Sequence, residues 1–188
     1  MENTSLSYLI QFSGIGNALA IAYAMQPKCT VVGSVRNDAS TEIAELEAIP
    51  KGEGSQLLVV KIESSSPDDA SDAVRTMEAA GIDHVDILIA NAGVSPPLQP
   101  IETVSLEDMA STFSVNALGP LALYQACHSM LKSAKNPKFV TISSAAGSIG
   151  GMESGGTFVA PSYCISKAAL NWITLYFYSF DQTDRDWF

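Results

Sequence analysis

Apolar runs of strand length recur along the chain and alternate with segments whose apolar residues follow helical spacing. Several runs are rich in β-branched residues and apolar on both alternating faces, which is typical of strands covered on both sides of a sheet. The predicted strands are Tyr8–Phe12, Thr30–Val35, Gln56–Ile62, Val85–Ala90 and Lys138–Ser143. The predicted helices are Ile15–Met25, Thr41–Ala48, Asp68–Ala80, Leu106–Lys132 and Tyr163–Phe180.

This alternation predicts an α/β fold, a doubly wound, Rossmann-like parallel sheet with helices on both faces. The 188 residues suffice for one domain and fall short of two, so residues 1–188 are expected to form a single domain. Such a sheet binds ligands beyond the carboxyl ends of its strands, where the strand order reverses. A flavodoxin-like or another nucleotide-binding α/β domain gives the same coarse pattern, so the function has to be inferred from motifs.

Composition excludes several classes of function. The formal net charge of -10 disfavours binding to nucleic acid or to anionic lipid. The chain has no apolar run long enough to cross a membrane and no secretory signal pattern at its start, so we expect a soluble, cytoplasmic protein. The three cysteines are scattered and fit neither a zinc site nor a disulfide framework, so we expect no metal.

The pair Tyr163 and Lys167 carries the first chemical signal. Residues four apart share one face of a helix, so the Lys167 ammonium can favour the ionised form of the Tyr163 phenol and make proton exchange possible. The pair Ser143 and Ser144 ends a predicted strand, where a hydroxyl could orient a substrate oxygen. Tyr-x-x-x-Lys alone is common on surface helices, so the surrounding motifs decide whether this pair is functional.

That context resembles the short-chain dehydrogenase/reductase family. The matching segments follow the family's order over about Tyr8 to Thr174 and are Ala90-Asn91-Ala92-Gly93, Val115-Asn116, Ile142-Ser143-Ser144 and Tyr163-Cys164-Ile165-Ser166-Lys167. The resemblance implies transfer of a hydride between a nicotinamide cofactor and a carbonyl or alcohol.

The resemblance also implies a catalytic role for four residues. Tyr163 would be the general acid in reduction and the general base in oxidation. Lys167 would favour the ionised phenol and bind the nicotinamide ribose. Ser144 would orient the substrate, and Asn116 would hold a water that extends the proton relay. A buried amide that satisfies a helix kink is the alternative for Asn116.

The cofactor would be NADP(H). Its binding residues are implied at the ends of the strands and in the catalytic pair: Gly14, Ile15, Gly16, Arg36, Glu63, Asn91, Ala92, Gly93, Tyr163 and Lys167. NAD enzymes carry an acidic residue at the end of the second strand, whereas this chain has Val35 followed by Arg36, whose planar fork suits a 2′-phosphate. The alternative for Arg36 is an ordinary exposed arginine without a role in cofactor binding. Glu63 stands where the family has an Asp that contacts adenine, and the alternative for it is a solvated carboxylate.

The chain departs from the family in three places. The first loop lacks its first glycine and is two residues short, with Gln11 and Phe12 where the chain should turn. Tyr163 is the nineteenth residue after Ser144, a longer interval than in the family, which predicts a longer loop beside the substrate cleft. The family's later strands are missing, so we expect a sheet that lacks its last strands. A shortened paralogue and an altered gene model fit this pattern equally.

We therefore expect an NADP(H)-dependent ketoreductase acting on a small-molecule carbonyl or alcohol, resembling fungal enzymes of the norsolorinic acid ketoreductase type. The alternative is a non-catalytic binding or regulatory protein with impaired cofactor binding. Helices Leu106–Lys132 and Pro161–Phe180 could pair in a homo-oligomer. We also expect the strand Lys138–Ser143 to be an exposed edge. Four aromatic side chains should form a patch on the last helix: Trp172, Tyr176, Phe177 and Phe180.

Overall fold

Five parallel strands form the centre of the molecule. The computed structural model describes residues 6–11, 14–37, 40–155 and 160–180. The strands are β1 Leu6–Gln11, β2 Cys29–Val35, β3 Gln56–Lys61, β4 Ile87–Ala90 and β5 Lys138–Thr141. Their order in the sheet is β3-β2-β1-β4-β5, with every neighbouring pair parallel. The predicted doubly wound, Rossmann-like α/β fold is therefore confirmed, and the order reverses between β1 and β4.

Helices follow the strands as the hydrophobic pattern predicts. The longer ones are α1 Ile15–Ala24, α2 Ser40–Glu47, α3 Asp69–Ala79, α4 Leu106–Phe113, α5 Gly119–Ser133 and α7 Pro161–Phe180. A short helix α6, Met152–Gly155, lies in the lengthened loop between Ser144 and Tyr163. Residues 156–159 of that segment lie outside the described residues.

The sheet is buried on both faces because its strands are apolar on both sides. Leu9 of β1 packs into one core cluster with Val32 and Leu88. Its neighbours Tyr8 and Ile10 point the other way, into a second cluster that includes Val31. Period-two alternation within each strand thus serves two layers of helices at once.

The predicted helix Leu106–Lys132 is divided in the structure. A π-helical turn, Ser114–Leu118, separates α4 from α5 and carries Asn116. Pro120 has no N–H group, so the Asn116 carbonyl lacks the donor that residue 120 would supply in an α-helix. Such π turns are frequent at functional sites. The proline was the sequence signal for this break.

The strand β5 lies at the edge of the described sheet, as expected, and Val140 on it is 39% exposed. On α7, Trp172 and Tyr176 are exposed, which agrees with the expected aromatic patch. The expectation was wrong for Phe177, whose ring stacks on the buried Tyr124 with centroids 3.7 Å apart. The Phe180 side chain lies outside the described residues.

The described residues contain neither a membrane-spanning helix nor a metal-ligand cluster. No described helix is both long and apolar enough to span a membrane. No cluster of His, Cys, Asp and Glu side chains within that part of the chain could hold a metal ion. Association into a homo-oligomer stays a prediction.

Candidate active site

Helix α7 presents Tyr163 and Lys167 on one face, at the carboxyl end of the sheet. The Lys167 Nζ lies 5.7 Å from the centre of the Tyr163 ring. Lys167 is 3% exposed, and its Nζ donates a hydrogen bond of 2.7 Å to the Ile142 carbonyl just beyond β5. Burial lowers the pKa of the Lys167 ammonium, because desolvation penalises the charged form. Tyr163 is half-buried, so part of the residue remains accessible.

The loop after β5 brings Ser144 to the same place. The Ser144 Oγ accepts a hydrogen bond of 3.1 Å from the Ala146 N–H at the start of a 3₁₀ turn, Ala145–Gly147. Its hydroxyl hydrogen is therefore still available to donate to a ligand. The loop packs tightly on α7, because a Cβ added at Gly147 would lie 2.6 Å from the Lys167 carbonyl carbon. Only glycine permits this approach.

Asn116 is fully buried and connects three segments of chain. Its Oδ1 accepts a hydrogen bond of 2.8 Å from the Val94 N–H. Its Nδ2 donates to the Val94 carbonyl at 2.9 Å and to the Ser166 Oγ at 2.9 Å. The amide thus joins the π turn to the loop after β4 and to α7. A proton-relay role for Asn116 stays a prediction.

The turn Asn91–Gly93 completes this cluster. A Cβ added at Gly93 would lie 3.5 Å from the Lys167 Nζ and 3.6 Å from the Asn116 Oδ1. A side chain there would make ordinary van der Waals contacts with both groups, so the segment after β4 lies directly beside them. Four segments distant in sequence meet here: the turn, the π turn, the Ser144 loop and the start of α7.

The remaining sequence-predicted residues lie along the carboxyl ends of β1, β2 and β3. Gly14 caps α1 with a φ of +51°, a conformation that favours glycine. Gly16 is buried and Ile15 is exposed. The bulky Phe12 of this first loop lies outside the described residues, as does Ser13.

A cleft runs from these strand ends to the start of α5. Glu63, Asn91 and Ala92 line it. Their predicted role in cofactor binding stays a prediction. Arg36 lies beside this cleft, with its Nε 3.9 Å from the Glu63 Oε2. The structure therefore brings Arg36 and Glu63 together, although each was singled out for a separate reason.

Two residues that sequence reasoning missed support the site. The Ser166 Oγ donates to the Tyr163 carbonyl at 2.7 Å while it accepts from Asn116. Asn171 accepts a short hydrogen bond from the Ser143 Oγ and donates to the Gly147 carbonyl at 3.3 Å. Ser166 lies three residues after Tyr163, and Asn171 lies four residues after Lys167. These helical spacings were the available signal.

Comparisons with known proteins agree with this arrangement. The short chain dehydrogenase family profile matches residues 11–177. The chain is 46% identical to the short-chain dehydrogenase srdF of Neurospora crassa over 86% of this chain and 64% of that protein. It is 34% identical to the norsolorinic acid ketoreductase stcE of Emericella nidulans, over 83% of this chain and 59% of that protein.

Among solved structures, the NADPH-bound carbonyl reductase from chicken fatty liver superimposes with a TM-score of 0.80 at 27% identity. That alignment covers 94% of this chain and 74% of the reductase. The chain belongs to the short-chain dehydrogenase family. It spans less than two thirds of the length of the fungal relatives named above.

Proposed function

We propose that this protein is an NADP(H)-dependent ketoreductase that reduces the carbonyl of a small molecule such as a polyketide. The observation that supports it most is the convergence of Tyr163, Lys167, Ser144 and Asn116 from three distant segments onto one end of the sheet. A purely structural cluster would not need a half-buried phenol beside a buried amine. Families of this fold host many functions, so the site rather than the fold carries the proposal.

In the proposed reaction Tyr163 is the general acid. Its hydroxyl donates a proton to the carbonyl oxygen as the carbon receives hydride, and the phenolate is the general base in the reverse direction. The Lys167 ammonium lies close enough to the ring to stabilise the phenolate electrostatically. Ser144, whose hydroxyl hydrogen is free to donate, holds the carbonyl oxygen in position.

The residues present fit a dinucleotide cofactor. Gly93 leaves space beside the Lys167 Nζ, and Gly14 turns its backbone with no other group within 4 Å of a Cβ there. Asn91 and Ala92 line a cleft at the point where the strand order reverses, which is the ligand position of doubly wound sheets. When bound, the nicotinamide supplies or accepts the hydride.

Two finer parts of the proposal rest on other observations. Arg36 at the end of β2 favours NADP(H), because a guanidinium pairs with the 2′-phosphate that distinguishes NADPH from NADH. The similarity to the norsolorinic acid ketoreductase of Emericella nidulans favours a polyketide ketone. A steroid, a sugar or a fatty acyl carbonyl would need the same proton chemistry.

The test is NADPH-dependent reduction of norsolorinic acid by the purified chain and by Tyr163→Phe. Loss of the phenol should lower the rate by about 10²–10⁴-fold, the usual range for a general acid. Tyr176→Phe is the matched control, since it deletes the same hydroxyl from an exposed position on the same helix. An unchanged rate for Tyr163→Phe refutes its assignment. If NADPH binds without any turnover of a carbonyl panel, the non-catalytic alternative replaces the proposal.

A further inference from the structure

The ion pair between Arg36 and Glu63 occupies the place where the proposed function puts the 2′-phosphate. Arg36 follows β2 and Glu63 follows β3, and these strands are neighbours with Val35 opposite Lys61. This register places the two side chains at one edge of the sheet. The Arg36 Nε then faces the Glu63 Oε2 at 3.9 Å.

Glu63 is held in this position independently of Arg36. Its Oε1 accepts hydrogen bonds from the Ser65 N–H at 3.3 Å and the Ser65 Oγ at 3.1 Å. Its backbone N–H donates to the Asp69 Oδ2 at 2.9 Å, and Lys61 pairs with the same carboxylate at 3.3 Å. The Glu63 backbone N–H and one of its carboxylate oxygens therefore have partners other than Arg36.

Arg36 is the more exposed partner of this pair. Its side chain is 63% exposed, against 34% for Glu63. A guanidinium has a side edge that includes Nε and an end edge formed by its two terminal nitrogens. Glu63 faces the side edge. A phosphate that binds both edges, or the side edge alone, must first displace the carboxylate.

We propose that Glu63 is a specificity-determining residue that competes with the 2′-phosphate of NADPH for Arg36 and so limits the preference for NADPH over NADH. This inference rests on the proposed function. The competition is weak, because an exposed ion pair contributes little and is screened by salt, whereas a phosphate and a guanidinium form a charge-assisted bond. NADPH therefore binds despite Glu63, with a lower affinity than Arg36 alone would allow.

The direction of the effect separates this role from two others. If Glu63 mainly positioned Arg36 for the phosphate, removal of the Glu63 carboxylate would weaken the binding of NADPH. If Glu63 contacted adenine or the ribose hydroxyl, its removal would change NADPH and NADH alike. Competition alone predicts stronger binding of ligands that carry a 2′-phosphate and no change for the others.

The experiment is calorimetric titration of the full chain and of Glu63→Gln with NADPH, NADH, adenosine 2′,5′-bisphosphate and 5′-AMP. Glu63→Gln should tighten the two ligands with a 2′-phosphate by about two- to fivefold, the equivalent of one exposed ion pair, and leave the other two unchanged. In an Arg36→Ala background the same substitution should have no effect. Glu53→Gln is the matched control, because it removes the same charge before β3 rather than after it.

Each other outcome overturns the inference. Weaker binding of the 2′-phosphate ligands would show that Glu63 positions Arg36 for the phosphate. Equal changes in affinity for all four ligands would show that Glu63 contacts the adenosine. A gain that persists without Arg36 would show direct repulsion rather than competition. Normal NADPH binding with no response to Glu63→Gln overturns the inference alone. Failure of all four ligands to bind overturns the proposed function with it.

Discussion

Gly147 gives the sharpest structural test of how the site is assembled. An added Cβ there would lie 2.6 Å from the Lys167 carbonyl carbon and 2.8 Å from the Ala168 nitrogen. Both are backbone atoms within a helix, so no flexible side chain can move aside. Gly147→Ala must therefore displace the loop that carries Ser144 away from α7.

The expected cost is that of overpacking a buried contact, about 1–3 kcal/mol. For a chain of this size the melting temperature falls by about 2–4 °C for each kcal/mol, so a decrease of about 2–12 °C is expected. Thermal unfolding and urea unfolding measure this directly and need no substrate. Carbonyl reduction should also fall, because Ser144 moves relative to Lys167.

Gly150→Ala is the matched control. It lies three residues further along the same loop, and an added Cβ there meets nothing within 4 Å. Its melting temperature and its activity should stay close to those of the unsubstituted chain. If Gly147→Ala and Gly150→Ala unfold at the same temperature, the loop does not pack on α7 as described, and the position of Ser144 has no support.

Four further predictions concern separate parts of the molecule. Arg36→Ala should weaken the binding of NADPH by about 10- to 100-fold through loss of a charge-assisted bond and leave the binding of NADH unchanged, as measured by titration. Equal losses of affinity for both cofactors would refute the role of Arg36. Asn116→Leu should destabilise the chain by at least about 1 kcal/mol in urea unfolding, since the part-buried N–H and carbonyl groups of Val94 lose their partners; an unchanged midpoint would contradict the described bonds. Burial lowers the pKa of Lys167, so between this lowered pKa and the ordinary value the unfolded chain binds more protons than the folded chain. The free energy of unfolding should therefore rise with pH in that interval, and Lys167→Met should abolish the rise. An identical slope in both proteins would argue against burial of Lys167. Trp172→Lys should increase the monomer fraction in sedimentation, because it removes an apolar surface that is 66% exposed; unchanged association would exclude this patch as its cause.

The hydrophobic pattern was enough to predict the sheet and the order of its elements. Each of the five strands overlaps its predicted range, because a strand covered on both faces leaves a run of β-branched and apolar residues. The ends of the strands were less predictable. The strand β4 begins at Ile87 rather than Val85, since the Val85 N–H donates to the Met130 carbonyl of α5 and not to a neighbouring strand.

The candidate site was predictable as a set of residues and not as an arrangement. Tyr163 and Lys167 share a helix face by spacing alone, whereas the approach of the Ser144 loop depends on Gly147, whose role appears only in three dimensions. Likewise, the contact between Arg36 and Glu63 follows from the register of β2 on β3. Register is a long-range property, and two separate sequence motifs do not encode it visibly.

The most direct test of the account is a single-turnover reaction with NADPH that carries deuterium at both C4 positions. The purified chain is mixed with this cofactor and an excess of norsolorinic acid, and the alcohol product is analysed by mass spectrometry. We expect one deuterium in the product, bound to the former carbonyl carbon, with Tyr163→Phe forming product at least about 10²-fold more slowly. An alcohol without deuterium, or equal rates for both proteins, would contradict hydride transfer assisted by Tyr163.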